Sequence, residues 1–303
     1  LKLDNKKNSL GDWLEYILFN CFFIIVKLTP LSVGVVVGKA LGRLAFFVMR
    51  KRRKLTLNNI RHARDRGFFS ADIDEYKLAR KVWENIGTVG SEFLFYYTRP
   101  LERLRESFKV SGENNLRRVL DQQKGVILVT GHIGNWELIG IYLSMAGYKI
   151  TPIVKTQSNA LVDKIIQEHR RSIGMKVIPR RSYLRPILEA FRNNEIVPFL
   201  IDQSARNKGV KVDFFGAPAP FPRGAVEFAL KTGVPVIFSY VIREKPGNYQ
   251  LVFSEEIVME KTNQDETDLV KNTETLIQRL QEVIMKHPEQ WLWMHKMWRN
   301  QKL

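Results

Sequence analysis

The 303-residue chain holds a single cysteine, Cys21, which excludes an internal disulfide and suits a reducing compartment. Acidic residues are scarce: 31 Asp and Glu stand against 48 Lys and Arg, a formal net charge of +17. Such a surplus points to an anionic partner, whether nucleic acid, an acidic protein or an anionic membrane surface. Nucleic acid is disfavoured, because no zinc-finger spacing, helix-turn-helix or RNP-type aromatic pattern accompanies the basic residues. The chain also lacks the G-x-S-x-G elbow of serine hydrolases and the H-E-x-x-H helix of zinc proteases. Internal repeats, low-complexity tracts and long linkers are missing as well, which removes solenoids and tethered modules from consideration. What remains is an ordinary apolar content of 45%, enough for a substantial core in one large domain or two modest ones.

The apolar residues are concentrated first at the N-terminus. Ser9 with Asp12 three positions on reads as an N-cap, and the helix it starts, over residues 10–29, would be ~30 Å long at ~1.5 Å per residue. Asp12, Glu15, Asn20 and Lys27 make it a poor membrane span unless they sit at the interfaces, and no small-residue cleavage site marks it as a secretory signal. A second apolar segment, 31–49, carries Lys39 and Arg43 about one helical turn apart, which suits a helix lying in a membrane surface. Arg50-Lys51-Arg52-Arg53-Lys54 follows at once, the pattern that attracts anionic lipid on the cytoplasmic side. A buried helical hairpin followed by a solvated charge run satisfies the same pattern.

Residues 55–95 carry helical spacing with an interruption at Arg66-Gly67, and the aromatic run Phe93-Leu94-Phe95-Tyr96-Tyr97 fits either core packing or a lipid-facing groove. Residues 101–123 read as polar and helical, partly extended near Phe108-Lys109-Val110. Beyond them β and α patterns alternate. Strands are expected at 126–130, 148–154, 175–178, 196–201 and 236–241. Helices are expected at 160–173, 184–193, 225–232 and 266–285. Residues 210–222, rich in Gly, Pro and Phe, read as a loop, and 249–253 as a strand antiparallel to 236–241. The alternation predicts an α/β fold with a mostly parallel central sheet flanked by helices. In such sheets working groups collect at the carboxyl ends of strands, and His132, Lys155, Arg180-Arg181 and Asp202-Gln203 all fall there.

The most informative stretch is Gly131-His132-Ile133-Gly134-Asn135-Trp136-Glu137, which follows an apolar β-branched run and precedes a new apolar segment. Read physically it is a strand, a glycine loop and a helix N-terminus. A histidine can take a proton from a hydroxyl near neutral pH, and a carboxylate on its far ring nitrogen fixes the tautomer. Glu137 is the nearest carboxylate in the motif, so it is the expected partner, favoured in its ionised form by the helix dipole. Spacing alone decides little. Five histidines and 31 acids in 303 positions give about half an H-x4-[DE] match by chance, and a buried structural histidine fits equally well.

The motif resembles the catalytic H-x4-D/E signature of glycerolipid acyltransferases, and more narrowly the H-F-G-N-W-E form of the bacterial lipid A biosynthesis (lauroyl/myristoyl) acyltransferase family. The likeness extends along the chain through the apolar N-terminus and basic cluster, Asn58-Asn59-Ile60, Asp202-Gln203, Val212-Asp213-Phe214-Phe215-Gly216 and Pro222-Arg223-Gly224. It ends with His287-Pro288-Glu289-Gln290-Trp291-Leu292-Trp293-Met294-His295. The resemblance implies transfer of a fatty acyl chain from acyl carrier protein, or acyl-CoA, to a hydroxyl of a lipid A precursor. Lysophospholipid or phosphoinositol mannoside is the alternative acceptor. It places the reaction at the inner face of the cytoplasmic membrane, with an acyl thioester as co-substrate and no cofactor or metal. It implies a membrane-associating segment over residues 1–54 and an acyltransferase domain over 55–303, with a helical lead-in (55–123) and an α/β core (124–303). His132 would be the general base and Glu137 its partner. Gly134, Asn135, Arg170, Arg181, Asp202, Gln203 and Arg223 would bind substrate. An oxyanion donor would be a loop amide near Gly134 or Arg170. Arg180, Arg181 and the 50–54 cluster would meet acceptor phosphates or the acidic carrier protein. A non-catalytic lipid- or nucleic-acid-binding protein is the reading from another class.

Overall fold

Ser9 caps the first helix as its spacing predicts. Its Oγ accepts from the Asp12 amide at 3.1 Å, and the Asp12 carboxylate accepts from the Ser9 amide at 2.8 Å. In this computed structural model, which describes residues 9–99, 102–154, 157–179, 184–262 and 264–298, that cap starts α1 (Leu10–Leu28). Pro30 separates it from α2 (Leu31–Val48), and Met49 separates α2 from α3 (Arg50–Asp65). After a turn at Gly67 comes α4 (Glu75–Tyr97). Helices α2 and α4 approach backbone to backbone, and a Cβ at Gly38 would collide with the Gly87 carbonyl. The outward faces of α1 and α2 stay apolar and exposed, with Leu14, Ile17, Leu18, Leu41, Leu44 and Val48 among them. Among the described residues α2 is the one helix long and apolar enough to cross a membrane by length and composition.

The α/β part follows as α5 (Glu102–Arg105), β1 (Phe108–Ser111), α6 (Glu113–Leu120), β2 (Val126–Thr130), α7 (Glu137–Met145), β3 (Ile153–Val154), α8 (Ala160–Ser172), β4 (Ile178–Pro179), α9 (Leu184–Arg192), β5 (Ile196–Leu200), β6 (Val210–Phe214), β7 (Ala217–Phe221), α10 (Gly224–Thr232), β8 (Val236–Lys245), β9 (Asn248–Glu256) and α11 (Asp265–Lys286). The central sheet has the order β1-β9-β8-β2-β5, with every pairing parallel except β8 with β9. Every residue of β2 is buried, as a strand covered on both faces requires. Its residues alternate between two cores. Ile127 and Val129 pack with α3, α4, α10 and α11, whereas Val126 and Leu128 pack with α6, α7 and β9.

Two expectations are corrected, and one open alternative is resolved. The 210–222 segment is not a loop but the antiparallel hairpin β6–β7. Its alternation is real: Val210, Val212 and Phe214 are buried opposite Phe221, Ala219 and Ala217. The strands expected at 148–154 and 175–178 shrink to β3 and β4, which pair only with each other, apart from a bridge from Ile150 to Ile196. The aromatic run of α4 is core, with Leu94, Tyr96 and Tyr97 buried.

Candidate active site

Strands β2 and β5 lie parallel with Val126 opposite Ile196 and Thr130 opposite Leu200. The Ile201 amide donates to the Thr130 carbonyl at 3.0 Å, so the register continues past the strand ends. Two residues beyond the last pair on each strand stand His132 and Asp202. Asp202 is fully buried and receives three donors. The His132 backbone amide reaches Oδ2 at 2.6 Å, the Trp291 indole reaches Oδ2 at 2.8 Å, and His132 Nδ1 lies 2.7 Å from Oδ1. Burial would push this carboxyl up, but the charge and hydrogen bonds of His132, with the Trp291 indole, outweigh it and hold it below the usual range. An ionised Asp202 requires the proton on Nδ1, and this tautomer leaves the Nε2 lone pair free to accept. Gln203 Nε2 lies 3.0 Å from that atom and occupies the position a substrate hydroxyl would take. His132 is 14% exposed, and its ring is held edge-on by Trp136 with centroids 4.7 Å apart.

Glu137 does not serve His132. As the first residue of α7 its carboxylate accepts from Arg170 Nη2 at 2.8 Å, and among the described residues no hydrogen bond joins it to the histidine. The expected pairing is therefore corrected: Asp202 takes the supporting position, and Glu137 with Arg170 forms a separate ion pair beside Tyr97. Burial alone would lower the Arg170 pKa, but Glu137 and Tyr97 raise it.

The loop between β2 and α7 is held rigidly. Gly134 adopts φ +58°, and a Cβ there would overlap the Val241 carbonyl, so only glycine fits. Its amide donates to the Gln290 carbonyl at 3.0 Å, which leaves an oxyanion donor near Gly134 to another amide of the loop. Asn135 is fully buried. Its Nδ2 donates to Glu92 Oε2 at 3.0 Å, and Glu92 is ion-paired with Arg243, which also reaches Asn85. Arg223 lies at the start of α10, paired with Glu227 at 2.7 Å and Glu266 at 3.5 Å. Lys155, Arg180 and Arg181 lie outside the described residues. Sequence reasoning assigned no role to Trp291, Glu92 or Arg243. Trp291 stands in the tryptophan-rich C-terminal motif, the one signal that pointed toward it. Glu92 and Arg243 sit mid-element with none. Among the described residues no group of three or more His, Cys, Asp and Glu side chains is arranged to hold a metal.

Residues 2–300 match the family described as bacterial lipid A biosynthesis acyltransferase. The phosphatidylinositol mannoside acyltransferase of Mycobacterium tuberculosis (strain CDC 1551 / Oshkosh) is 27% identical over 194 residues, 62% of this chain and 59% of that protein. This chain therefore spans about three-fifths of the length of that relative. The lipid A biosynthesis palmitoleoyltransferase of Escherichia coli (strain K12) is 25% identical over 287 residues, 94% of this chain and 90% of that protein. The lipid A biosynthesis lauroyltransferase of the same organism is 24% identical over 289 residues, with the same coverage.

Proposed function

The chain belongs to the bacterial lipid A biosynthesis acyltransferase family, and on that premise we propose that it moves a fatty acyl group from a thioester donor to a hydroxyl of a membrane glycolipid. The single observation that carries this reading is the His132–Asp202 pair, with Nδ1 held by a buried carboxylate and Nε2 turned to an acceptor position. The acceptor hydroxyl displaces the Gln203 amide and donates its proton to Nε2 as its oxygen attacks the thioester carbonyl. Asp202 stabilises the imidazolium. Collapse of the tetrahedral adduct breaks the C–S bond, and the departing sulfur takes the proton back from Nε2. Histidine is regenerated, no covalent enzyme intermediate forms, and the products are an ester and a thiol.

Acyl carrier protein is the preferred donor, because its acidic surface complements a chain of net charge +17. A lipid A precursor is the preferred acceptor, supported by relatives matched over nearly the whole chain. A phosphatidylinositol mannoside is the second reading, supported by the mycobacterial relative at slightly higher identity over a shorter span. The exposed apolar faces of α1 and α2, followed by exposed Arg50, Lys51, Arg52 and Lys54, favour attachment to the cytoplasmic face of the inner membrane. Acyl transfer from acyl carrier protein thioesters, and separately from acyl-CoA, to each purified acceptor tests the assignment. A product ester with one acceptor, absent in H132A, is the expected result, and no transfer to any glycolipid hydroxyl would overturn it.

A further inference from the structure

Beside the Nε2 face of His132 opens a cavity of about 260 Å³, lined by Arg52, Gln203, Ser204, Arg206, His295 and Lys296. Three formal cations converge on it and no carboxylate lines it. Among the described residues none of the three is ion-paired with Asp or Glu. The three come from distant parts of the chain: α3, the turn after β5, and the C-terminal segment. Specific contacts bring them together. Arg52 Nη1 donates to the Met294 carbonyl at 3.2 Å, Asn59 Nδ2 donates to the carbonyls of Trp293 and His295, and the Leu292 amide donates to the His132 carbonyl at 3.2 Å. Arg206 is held at φ +55°, a conformation that a non-glycine residue rarely adopts without support from its surroundings. His295 keeps a buried Nε2 without a hydrogen-bond partner. A larger basic cavity, of about 580 Å³, lies at the opposite end of β5, but there Lys176 is already paired with buried Glu195.

We propose that the Arg52–Arg206–Lys296 cavity is a phosphoryl-binding subsite that anchors an anionic group of substrate beside His132. Like charges brought together without a counter-ion repel one another, and a phosphoryl group with several acceptor oxygens removes that repulsion through charge-assisted hydrogen bonds. The volume suits a phosphate ester and its immediate neighbours, not a sugar backbone with acyl chains. Gln203 joins this cavity to His132, since it lines the cavity and touches His132 Nε2. A phosphate seated there fixes the register of the attacking or departing group against the base. Two substrate parts carry such chemistry: the phosphodiester of a thioester donor's pantetheine arm, and a phosphate on the acceptor's headgroup. The assignment of the ligand as substrate rests on the acyl-transfer reading above, whereas the anion site itself does not.

The test uses inorganic phosphate, titrated calorimetrically into the detergent-solubilised full chain at low ionic strength. Saturable binding is expected, weakened about tenfold in R206Q and in K296Q, the size of one charge-assisted contact. Both side chains are exposed at the cavity, and circular dichroism of each variant confirms the fold. Wild-type affinity in both variants, or no saturable binding to the unmodified chain, overturns the subsite. Displacement of the phosphate by pantetheine 4′-phosphate but not pantetheine assigns the site to the donor. Displacement by glucose 1-phosphate but not glucose assigns it to the acceptor. H132A is expected to bind phosphate as the unmodified chain does, and phosphate binding by an unmodified chain that transfers no acyl group would count against the catalytic reading alone.

Discussion

His132 Nδ1 and Asp202 Oδ1 are 2.7 Å apart although seventy residues separate them in the chain. The same offset relates Val126 to Ile196 and Thr130 to Leu200, so the pair is a direct extension of the β2–β5 register. The dyad is thus built by two adjacent parallel strands and not by the local H-x4-E spacing. Sheet packing fixes its geometry, and the surface loops beyond can vary without moving it.

Glu137 and Arg170 form a partly buried ion pair, with side chains 23% and 11% exposed. Removal of one partner leaves the other charge poorly solvated. E137Q is expected to lower stability by about 1–3 kcal/mol, and a double-mutant cycle with R170M to show coupling of at least about 1 kcal/mol. Chemical denaturation of the four proteins measures it, and additive losses would contradict the pairing.

The Glu92–Arg243 pair is deeper, with Glu92 fully buried, and it holds the loop between β2 and α7 through Asn135. E92Q leaves the Arg243 charge uncompensated and is expected to cost about 3–5 kcal/mol. The double variant E92M/R243M, which removes both charges, is expected to recover part of that loss in the same denaturation experiment. Its activity should stay low, because Asn135 loses its partner.

His62 is buried against Trp298, with ring centroids 4.0 Å apart, and burial with the neighbouring Arg66 charge lowers its pKa to about 4. The folded state therefore prefers neutral imidazole, whereas the unfolded chain protonates near the ordinary value of about 6.5. The stabilisation is complete above that value and is lost as pH falls toward 4, to a total of roughly 3 kcal/mol. Thermal unfolding followed between pH 7 and 4 should show this slope, and H62Q should flatten it.

The exposed faces of α1 and α2 predict binding to anionic vesicles. Burying two large aliphatic side chains contributes roughly 3–6 kcal/mol, so the double variant L14D/I17D should lose at least about a hundredfold in partition to phosphatidylglycerol vesicles. Binding of the unmodified chain should weaken with salt, because the contribution of the exposed basic residues is screened. Co-sedimentation measures both effects.

Much of this arrangement is legible in the sequence, and the failures have physical causes. The Ser9 cap, the Pro30 break and the basic start of α3 mark the N-terminal helices, while apolar runs mark β2, β5 and β8. Asp202 and Gln203 are found by the rule that functional groups gather at strand ends. Glu137 is misassigned because position in a helix's first turn does not say where its side chain points; here it turns toward Arg170. The hairpin β6–β7 is hidden by Pro218 and Pro220, which supply no backbone donor and read as loop residues, although their side chains alternate with buried Ala217, Ala219 and Phe221. The Glu92–Arg243 pair joins α4 to β8, a contact that no local pattern announces.

The central claim, that Asp202 and not Glu137 makes His132 a base, is tested most directly by the single-turnover rate of acyl transfer in D202N. An asparagine there can still accept from the His132 amide and the Trp291 indole through Oδ1. Its Nδ2 then donates to Nδ1 and drives the ring proton onto Nε2, the wrong tautomer for accepting a proton. The account predicts a rate about 10³–10⁴ lower with the fold retained. A D202N enzyme that turns over at the unmodified rate would contradict it.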